Sequence, residues 1–125
     1  MSTAIEHKEK YQHNKEFIEF LHKNDKDEFI DWKIVGCFYA SLHLIQSLLH
    51  SKKGIEDTEM ENHVDTKNII KKNYPSLLSY YILLLTLSKT ARYQSVRSLC
   101  SNDGNKAEDC LQGIVDECKL IEKSK

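Results

Sequence analysis

The sequence predicts an all-α protein, and three observations support this prediction. The 125 residues include only 4 glycines and 1 proline, too few for a turn-rich all-β or disordered chain. Lys, Glu, Leu and Ile are abundant, and apolar residues recur at helical spacing in several segments. The length predicts a single domain over residues 1–125, because one core rarely needs more than about 150 residues.

The first two helices are predicted over residues 3–22 and 27–52. The first contains scattered apolar residues, and the Asn24-Asp25 pair breaks it and caps the second helix. The second is the longest and the most apolar. We expect it to end at Gly54, because glycine tolerates the left-handed backbone angles of a helix end.

Three further helices are predicted in the second half of the chain. Residues 55–62 form an acidic loop, and a short helix covers 64–72, ending before Pro75. Pro75 itself opens a fourth helix that extends to about residue 95. The Ser-Asn-Asp-Gly-Asn segment at 101–105 predicts a turn, and an amphipathic helix comes next over 106–122.

The second helix has two distinct sides when its residues are placed at about 100° steps. One side is predicted as core and contains Ile34, Cys37, Ser41, Leu44, Ile45, Leu48 and Leu49. The opposite side contains Trp32, Tyr39, His43, Gln46 and His50, flanked by the small residues Gly36, Ala40 and Ser47. This second side is predicted to face another helix, a partner subunit or a ligand, and packing and ligand lining both stay open.

Charge is segregated along the chain although the net charge is only −1. The near-zero value excludes a generally polybasic protein. Residues 66–102, however, contain no Asp or Glu but six cations, Lys67, Lys71, Lys72, Lys89, Arg92 and Arg97. We expect either a local positive potential that attracts phosphate, or neutralisation by acidic residues of neighbouring helices.

Arg92 is the first candidate ligand-binding residue, on a helix face shared with Tyr81, Leu85 and Ser88. It is predicted either to anchor a phosphate bidentately or to form an internal salt bridge with another helix. His63 and Lys67 are four residues apart and share a helix face.

Only two of the six histidines stand in aromatic or basic contexts, and these are His43 and His63. His7, His13 and His22 belong to a charge-mixed helix and are expected to be solvated. No metal site is predicted, since His43 and His50 are two turns apart, about 10 Å.

Other chemistry is not predicted by the sequence. The four cysteines form no C-x-x-C pair and are expected to be free thiols, with a disulfide among Cys100, Cys110 and Cys118 as the alternative. No glycine-rich phosphate loop or serine elbow occurs. We therefore predict no cofactor. The most apolar run, residues 77–87, has 11 residues, whereas a bilayer span needs roughly 20. The polar residues 1–28 lack a signal-peptide pattern, so a cytoplasmic protein without a membrane segment is expected.

Two ordered sets of residues resemble a known family. The first is Asp31-Trp32 with Phe38-Tyr39-Ala40 and His43; the second is Tyr74-Pro75, Leu77, Leu84 and the Ser88–Tyr93 segment, with His63 and Lys67 between them. Together they resemble the HEPN superfamily (higher eukaryotes and prokaryotes nucleotide-binding), in its small prokaryotic branch. The resemblance covers residues 29–93.

The resemblance implies an up-and-down four-helix bundle with a short additional helix, usually dimeric. Such domains occur with nucleotidyltransferases and in toxin–antitoxin, defence and RNA-processing systems. Many members are metal-independent ribonucleases with an Arg-x4–6-His motif. Here no histidine follows Arg92 or Arg97, so that motif is absent and no catalytic residue is predicted.

The resulting prediction is a non-catalytic HEPN-like domain that forms a homodimer and binds RNA, a nucleotide or a protein such as a nucleotidyltransferase or toxin. Its predicted ligand-binding residues are Tyr39, His43, His63, Lys67, Arg92 and Tyr93. The enzymatic alternative is a ribonuclease with a rearranged site, in which His43 or His63 is the general base and Arg92 stabilises the transition state. A third alternative is an adaptor whose Trp32/Tyr39/His43 face binds a protein.

Overall fold

The computed structural model describes residues 3–24, 29–94 and 99–124. Over these ranges the chain forms five α-helices and no strand. They are α1 (Ala4–Asn24), α2 (Ile30–Lys53), α3 (His63–Asn73), α4 (Leu78–Tyr93) and α5 (Ser101–Lys123). The all-α prediction is confirmed, with four long helices and the short α3.

Helix α2 lies at the centre of the bundle and packs against α1, α4 and α5. Every residue predicted for its core side is buried, from Ile34 to Leu49. It ends as predicted at Gly54, whose φ of 64° lies in the left-handed region. The Gly54 N–H donates to the carbonyl of His50 at 3.1 Å and thereby satisfies one of the carbonyls left free at the helix end.

The small residues of α2 bring α1 close, so a neighbouring helix, one of the three occupants left open by the sequence, covers this part of α2. Gly36, Ala40 and Ser47 are all buried. A Cβ atom at Gly36 would lie 3.3 Å from Ile18 Cγ1, so glycine sets the separation of the two helices here. Near the start of α1, Ser47 Oγ donates to the carbonyl of Ala4 at 3.0 Å.

The connection from α2 to α4 is more ordered than a loop. Residues 55–62, predicted as an acidic loop, contain a 3-10 turn over Asp57–Met60, here called the 57–60 turn, and Met60 is buried beneath it. Asn62 caps α3 by accepting the N–H of Asp65 at 2.8 Å. Pro75 opens a further 3-10 turn (Pro75–Leu77) that leads into α4. The predicted end of that helix at residue 95 lies outside the described residues.

The predicted turn at residues 101–105 is wrong, because these residues begin α5. The N–H of Cys100 donates to Asp103 Oδ2 at 3.0 Å, a side-chain cap at the helix start. Gly104 is buried, and a Cβ there would lie 3.7 Å from Ile30 Cγ2. Residues 101–103, whose types favour turns, therefore form the polar first turn of α5, and Gly104 packs against Ile30.

The apolar side of α5 is confirmed. Cys110, Leu111, Ile114, Val115 and Cys118 are buried, and Ile121 packs against the same core. All four cysteines are free thiols, as expected. Burial, the Glu108 charge and Cys110 raise the pKa of Cys37 to about 12, against the lowering effect of Lys33, so this thiol stays protonated. Lys33 is itself buried and forms an ion pair with Glu108.

A bilayer-spanning segment needs a longer and more apolar helix than any found in the described ranges.

Gly113 sets the contact between α4 and α5. A Cβ there would lie 2.6 Å from Cε1 and 2.7 Å from Cζ of Tyr80, so Gly113→Ala forces the tyrosine ring to move. We expect a loss of about 1–3 kcal/mol in the free energy of unfolding, measured by urea denaturation. Gly104→Ala is the matched control: it meets only ordinary contacts and should be neutral or gain up to about 1 kcal/mol. Equal effects of the two substitutions would contradict this account.

Candidate functional site

Arg92 lies in the last turn of α4 and its side chain folds back against α2. Its Nε–H donates to the carbonyl of Ser88 at 3.3 Å, and its Nη1 donates to the Tyr39 hydroxyl at 3.3 Å. The guanidinium carbon lies 6.0 Å from the ring centre of Phe38 and 5.3 Å from that of Tyr93. These contacts hold the cation over aromatic faces, a favourable arrangement for arginine.

Arg92 is predicted from the sequence either to anchor a phosphate or to form an internal salt bridge with another helix. Within the described ranges its guanidinium forms no ion pair with a carboxylate. The internal salt bridge is therefore not seen in this part of the chain. Two of its N–H groups are engaged with Ser88 and Tyr39, and the remaining donors have no hydrogen-bond partner among the described residues.

His63 is the first residue of α3 and lies beside Arg92. Its Nδ1 is 3.1 Å from the hydroxyl of Tyr81, a fully buried tyrosine, and its ring packs edge-on against Phe38 at 5.7 Å. Burial lowers the pKa of His63, and the charges of Arg92 and Lys89 lower it further. The imidazole is thus neutral near pH 7, and its Nε2 is the ring nitrogen that Tyr81 does not engage.

We call Phe38, Tyr39, His63, Tyr81 and Arg92 the Arg92 cluster. Burial raises the pKa of Tyr81 to about 12, so its hydroxyl stays protonated beside His63. The charges that act on His63 come from two cations, Lys89 and Arg92. Within the described ranges neither Lys89 nor Arg92 forms an ion pair with a carboxylate, so this end of α4 carries two cations without an acidic partner there.

Of the two remaining predicted ligand-binding residues on α3 and α4, Tyr93 borders the cluster and Lys67 does not contact it in the described part of the chain. Tyr93 is 77% exposed and its ring faces Arg92, so it borders the cluster from the solvent side. Lys67 is exposed on α3, one turn after His63, and no contact to the cluster is seen in the described part of the chain. The structure thus brings together Tyr39, His63, Arg92 and Tyr93.

A cleft of about 380 Å³ lies next to His63, between α2, the 57–60 turn and the start of α3. It is lined by Leu42, Gln46, Met60, Glu61, Asn62, His63 and Thr66. Of the polar groups, Asn62 is committed to capping α3, and Thr66 donates to the Asn62 carbonyl at 2.9 Å. Gln46 and Glu61 are the other polar side chains of the lining, and His63 is the lining residue that also belongs to the Arg92 cluster.

His43 belongs to a different set of contacts. Its Nδ1 lies 3.0 Å from Nδ1 of His7, and the two rings stack at 5.3 Å. His7 Nε2 in turn lies 2.8 Å from Asp57 Oδ1. Burial, then the charges of His7 and Lys10, lower the pKa of His43 to about 4, so its ring is neutral at pH 7.

The expectation that His7 is solvated is wrong, since only 3% of it is exposed. A signal was present in the sequence: positions 7, 11, 14, 18 and 21 follow helical spacing, and Ile18 and Leu21 on that side are buried. His13 is exposed, as expected. The side chain of His22 lies outside the described residues.

Metal binding receives no structural support from the residues that the structure describes. Among them, no three or more His, Cys, Asp or Glu side chains lie close enough together to hold an ion.

Comparisons with protein-family models, curated proteins and solved structures find no match to this chain.

The electrostatic coupling of His63 to Arg92 is testable by NMR titration. Arg92→Ala removes a cation that lowers the pKa of His63, so that pKa should rise toward 6.5, while Arg92→Lys should leave it low. Lys67→Ala is the control, because Lys67 is one helical turn away but is not among the charges that act on His63. A pKa that rises equally in Lys67→Ala and Arg92→Ala would contradict the proposed geometry.

Proposed function

We propose that this chain is a HEPN-like helical domain that binds RNA or a nucleotide through the Arg92 cluster, without catalysing a reaction. The observation that carries the proposal is the half-buried guanidinium of Arg92, which has free N–H donors and no carboxylate partner in the described ranges. A planar guanidinium in this state suits bidentate contact with phosphate oxygens.

The surroundings of Arg92 support phosphate over a carboxylate-bearing peptide. Lys89 adds a second cation on the same helix, and neutral His63 offers a ring nitrogen at the edge of the cluster. Tyr93 exposes its ring beside the guanidinium, as do the stacking residues of proteins that bind unpaired bases. One nucleotide carries both a phosphate, which suits Arg92, and a base, which suits the Tyr93 ring.

The oligomeric state, cellular location and protein partner are part of the same proposal, and they follow from the resemblance to HEPN domains. The domain forms a homodimer in the cytoplasm. Its partner is a nucleotidyltransferase or a toxin of a toxin–antitoxin or defence system.

RNA binding tests the leading proposal directly. A fluorescein-labelled single-stranded oligoribonucleotide is titrated with the protein at about 50 mM salt, and anisotropy gives Kd. We expect Arg92→Ala to weaken binding about tenfold or more, because charge-assisted hydrogen bonds are lost. Lys89→Ala should weaken it severalfold and reduce the salt slope by about 1.

Lys119→Ala supplies the matched control, since Lys119 is an exposed cation on α5, away from the cluster. It removes the same charge and should leave Kd within about twofold. Equal losses in all three variants would indicate general electrostatic attraction and overturn the assignment to the Arg92 cluster. Absence of binding to RNA and to nucleotides at low salt would overturn the function itself.

A ribonuclease is the second candidate, favoured by one observation: a neutral imidazole, His63, lies next to the cations Arg92 and Lys89. With Nδ1–H donated to Tyr81, Nε2 is able to accept the proton of a ribose 2′-hydroxyl. The 2′-oxygen then bonds to phosphorus, the bond to the 5′-oxygen breaks, and that oxygen takes a proton from water while His63 later releases its proton. Arg92 stabilises the charge on the phosphate oxygens.

Incubation with 5′-labelled RNA separates the two candidates. The leading proposal expects intact RNA after extended incubation. Cleavage by the wild type that is lost in both His63→Ala and Arg92→Ala would establish the ribonuclease in its place. Cleavage unchanged by both substitutions would identify a contaminating nuclease.

A further inference from the structure

Three structural elements meet at a chain of hydrogen bonds that the proposed function does not use. His7 comes from α1, His43 from α2 and Asp57 from the 57–60 turn. His7 lies in the middle, 3.0 Å from His43 through Nδ1 and 2.8 Å from Asp57 through Nε2. This chain therefore joins the first half of α1 to both of the other elements.

The geometry allows one proton between the two imidazoles. Both partners at the 3.0 Å contact are Nδ1 atoms, so one must donate and the other must accept. Asp57 accepts from Nε2–H of His7. The pair holds together when both rings are neutral, and also when His7 alone is protonated. When both rings are protonated, two N–H groups and two positive charges face each other, and the contact breaks.

The surrounding charges determine which ring resists the second proton. On α1, Lys10 opposes protonation of His43, and Glu6, Glu9, Lys10 and His13 line the surface groove beside it. Asp57, in the 57–60 turn, favours protonation of His43, but its carboxylate is in direct contact with His7. His50, the next histidine on α2, faces Glu56 at 3.9 Å and so belongs to a separate pair.

We propose that the His43–His7–Asp57 chain is an acid-sensitive latch, which holds the amino-terminal half of α1 on α2 and releases it when both imidazoles are protonated. Two weaker polar contacts also hold this segment in the described chain: Ser47 Oγ donates to the Ala4 carbonyl, and Lys8 forms a solvent-exposed ion pair with Glu122 of α5 at 3.3 Å. An exposed ion pair contributes only about 0–1 kcal/mol, so it does not hold the segment by itself. The rest of α1 stays packed through Phe17 and Ile18 around Gly36.

The sign of the pH dependence follows from His43. Its pKa is about 4 in the folded chain and 6.5 when solvated, so the open state binds more protons between these values. The stability contributed by the latch is complete above pH of about 6.5 and is lost progressively as the pH falls toward about 4.

Hydrogen exchange with mass spectrometry provides the main test, with rates divided by those of an unstructured chain at each pH. From pH 7.5 to 4.5, protection of residues 4–14 should fall about tenfold or more, while protection of α5 changes little. His43→Asn places there an amide that does not titrate: its NH₂ donates to Nδ1 of neutral His7, and its oxygen accepts from Nδ1–H of protonated His7. The fall should therefore shrink to about twofold or less. His13→Asn, on the same helix but exposed, should behave as the wild type.

A fall of equal size in His43→Asn and in the wild type would overturn the latch, and so would unchanged protection of residues 4–14 in the wild type. An NMR titration of the wild type keeps the proposal testable should His43→Asn fail to fold. The latch requires coupled titration, in which each ring reports both protonation steps. Two independent single-step curves would overturn it.

Discussion

The structure depends on one constraint: α2 has to be covered on nearly all sides. Its apolar side packs on α4 and α5, and the small residues Gly36, Ala40 and Ser47 admit α1 closely on another side. Removing this much apolar surface from water is the main favourable contribution to folding. The half-buried polar residues Tyr39 and His43 lie on the remaining strip of α2, where Tyr39 meets α4 and His43 meets α1.

Two polar assemblies form around these residues. A half-buried polar side chain needs a partner, because an unsatisfied donor or acceptor costs about 1–3 kcal/mol. Tyr39 meets this need with Arg92 from α4, and His43 meets it with His7 from α1. In the first assembly, Arg92 keeps N–H donors without a partner among the described residues, and this is the site proposed for RNA or a nucleotide. In the second, Asp57 accepts from His7, so the assembly connects α1, α2 and the 57–60 turn.

Much of this was predictable, and the exceptions have physical reasons. The end of α2 at Gly54 follows from the backbone preference of glycine, and the apolar side of α5 follows from helical periodicity. Both properties can be read from residues that are close together in the sequence. The turn predicted at 101–105 is wrong because these residue types suit a turn and the first turn of a helix equally. The prediction for His7 is wrong because it follows the charged neighbours of His7, whereas helical spacing places this residue on the buried side of α1.

The sequence by itself determined the helical class, most helix ends, the core side of α2 and the cationic stretch around Arg92, because propensity, periodicity and charge order are properties of neighbouring residues. Only the tertiary structure decided that Arg92 pairs with Tyr39 and not with a carboxylate in the described ranges, and that His43 joins His7 and Asp57. These partners are separated by 53, 36 and 50 positions in the chain. Contacts at such separations depend on how helices pack side by side, which no local pattern encodes.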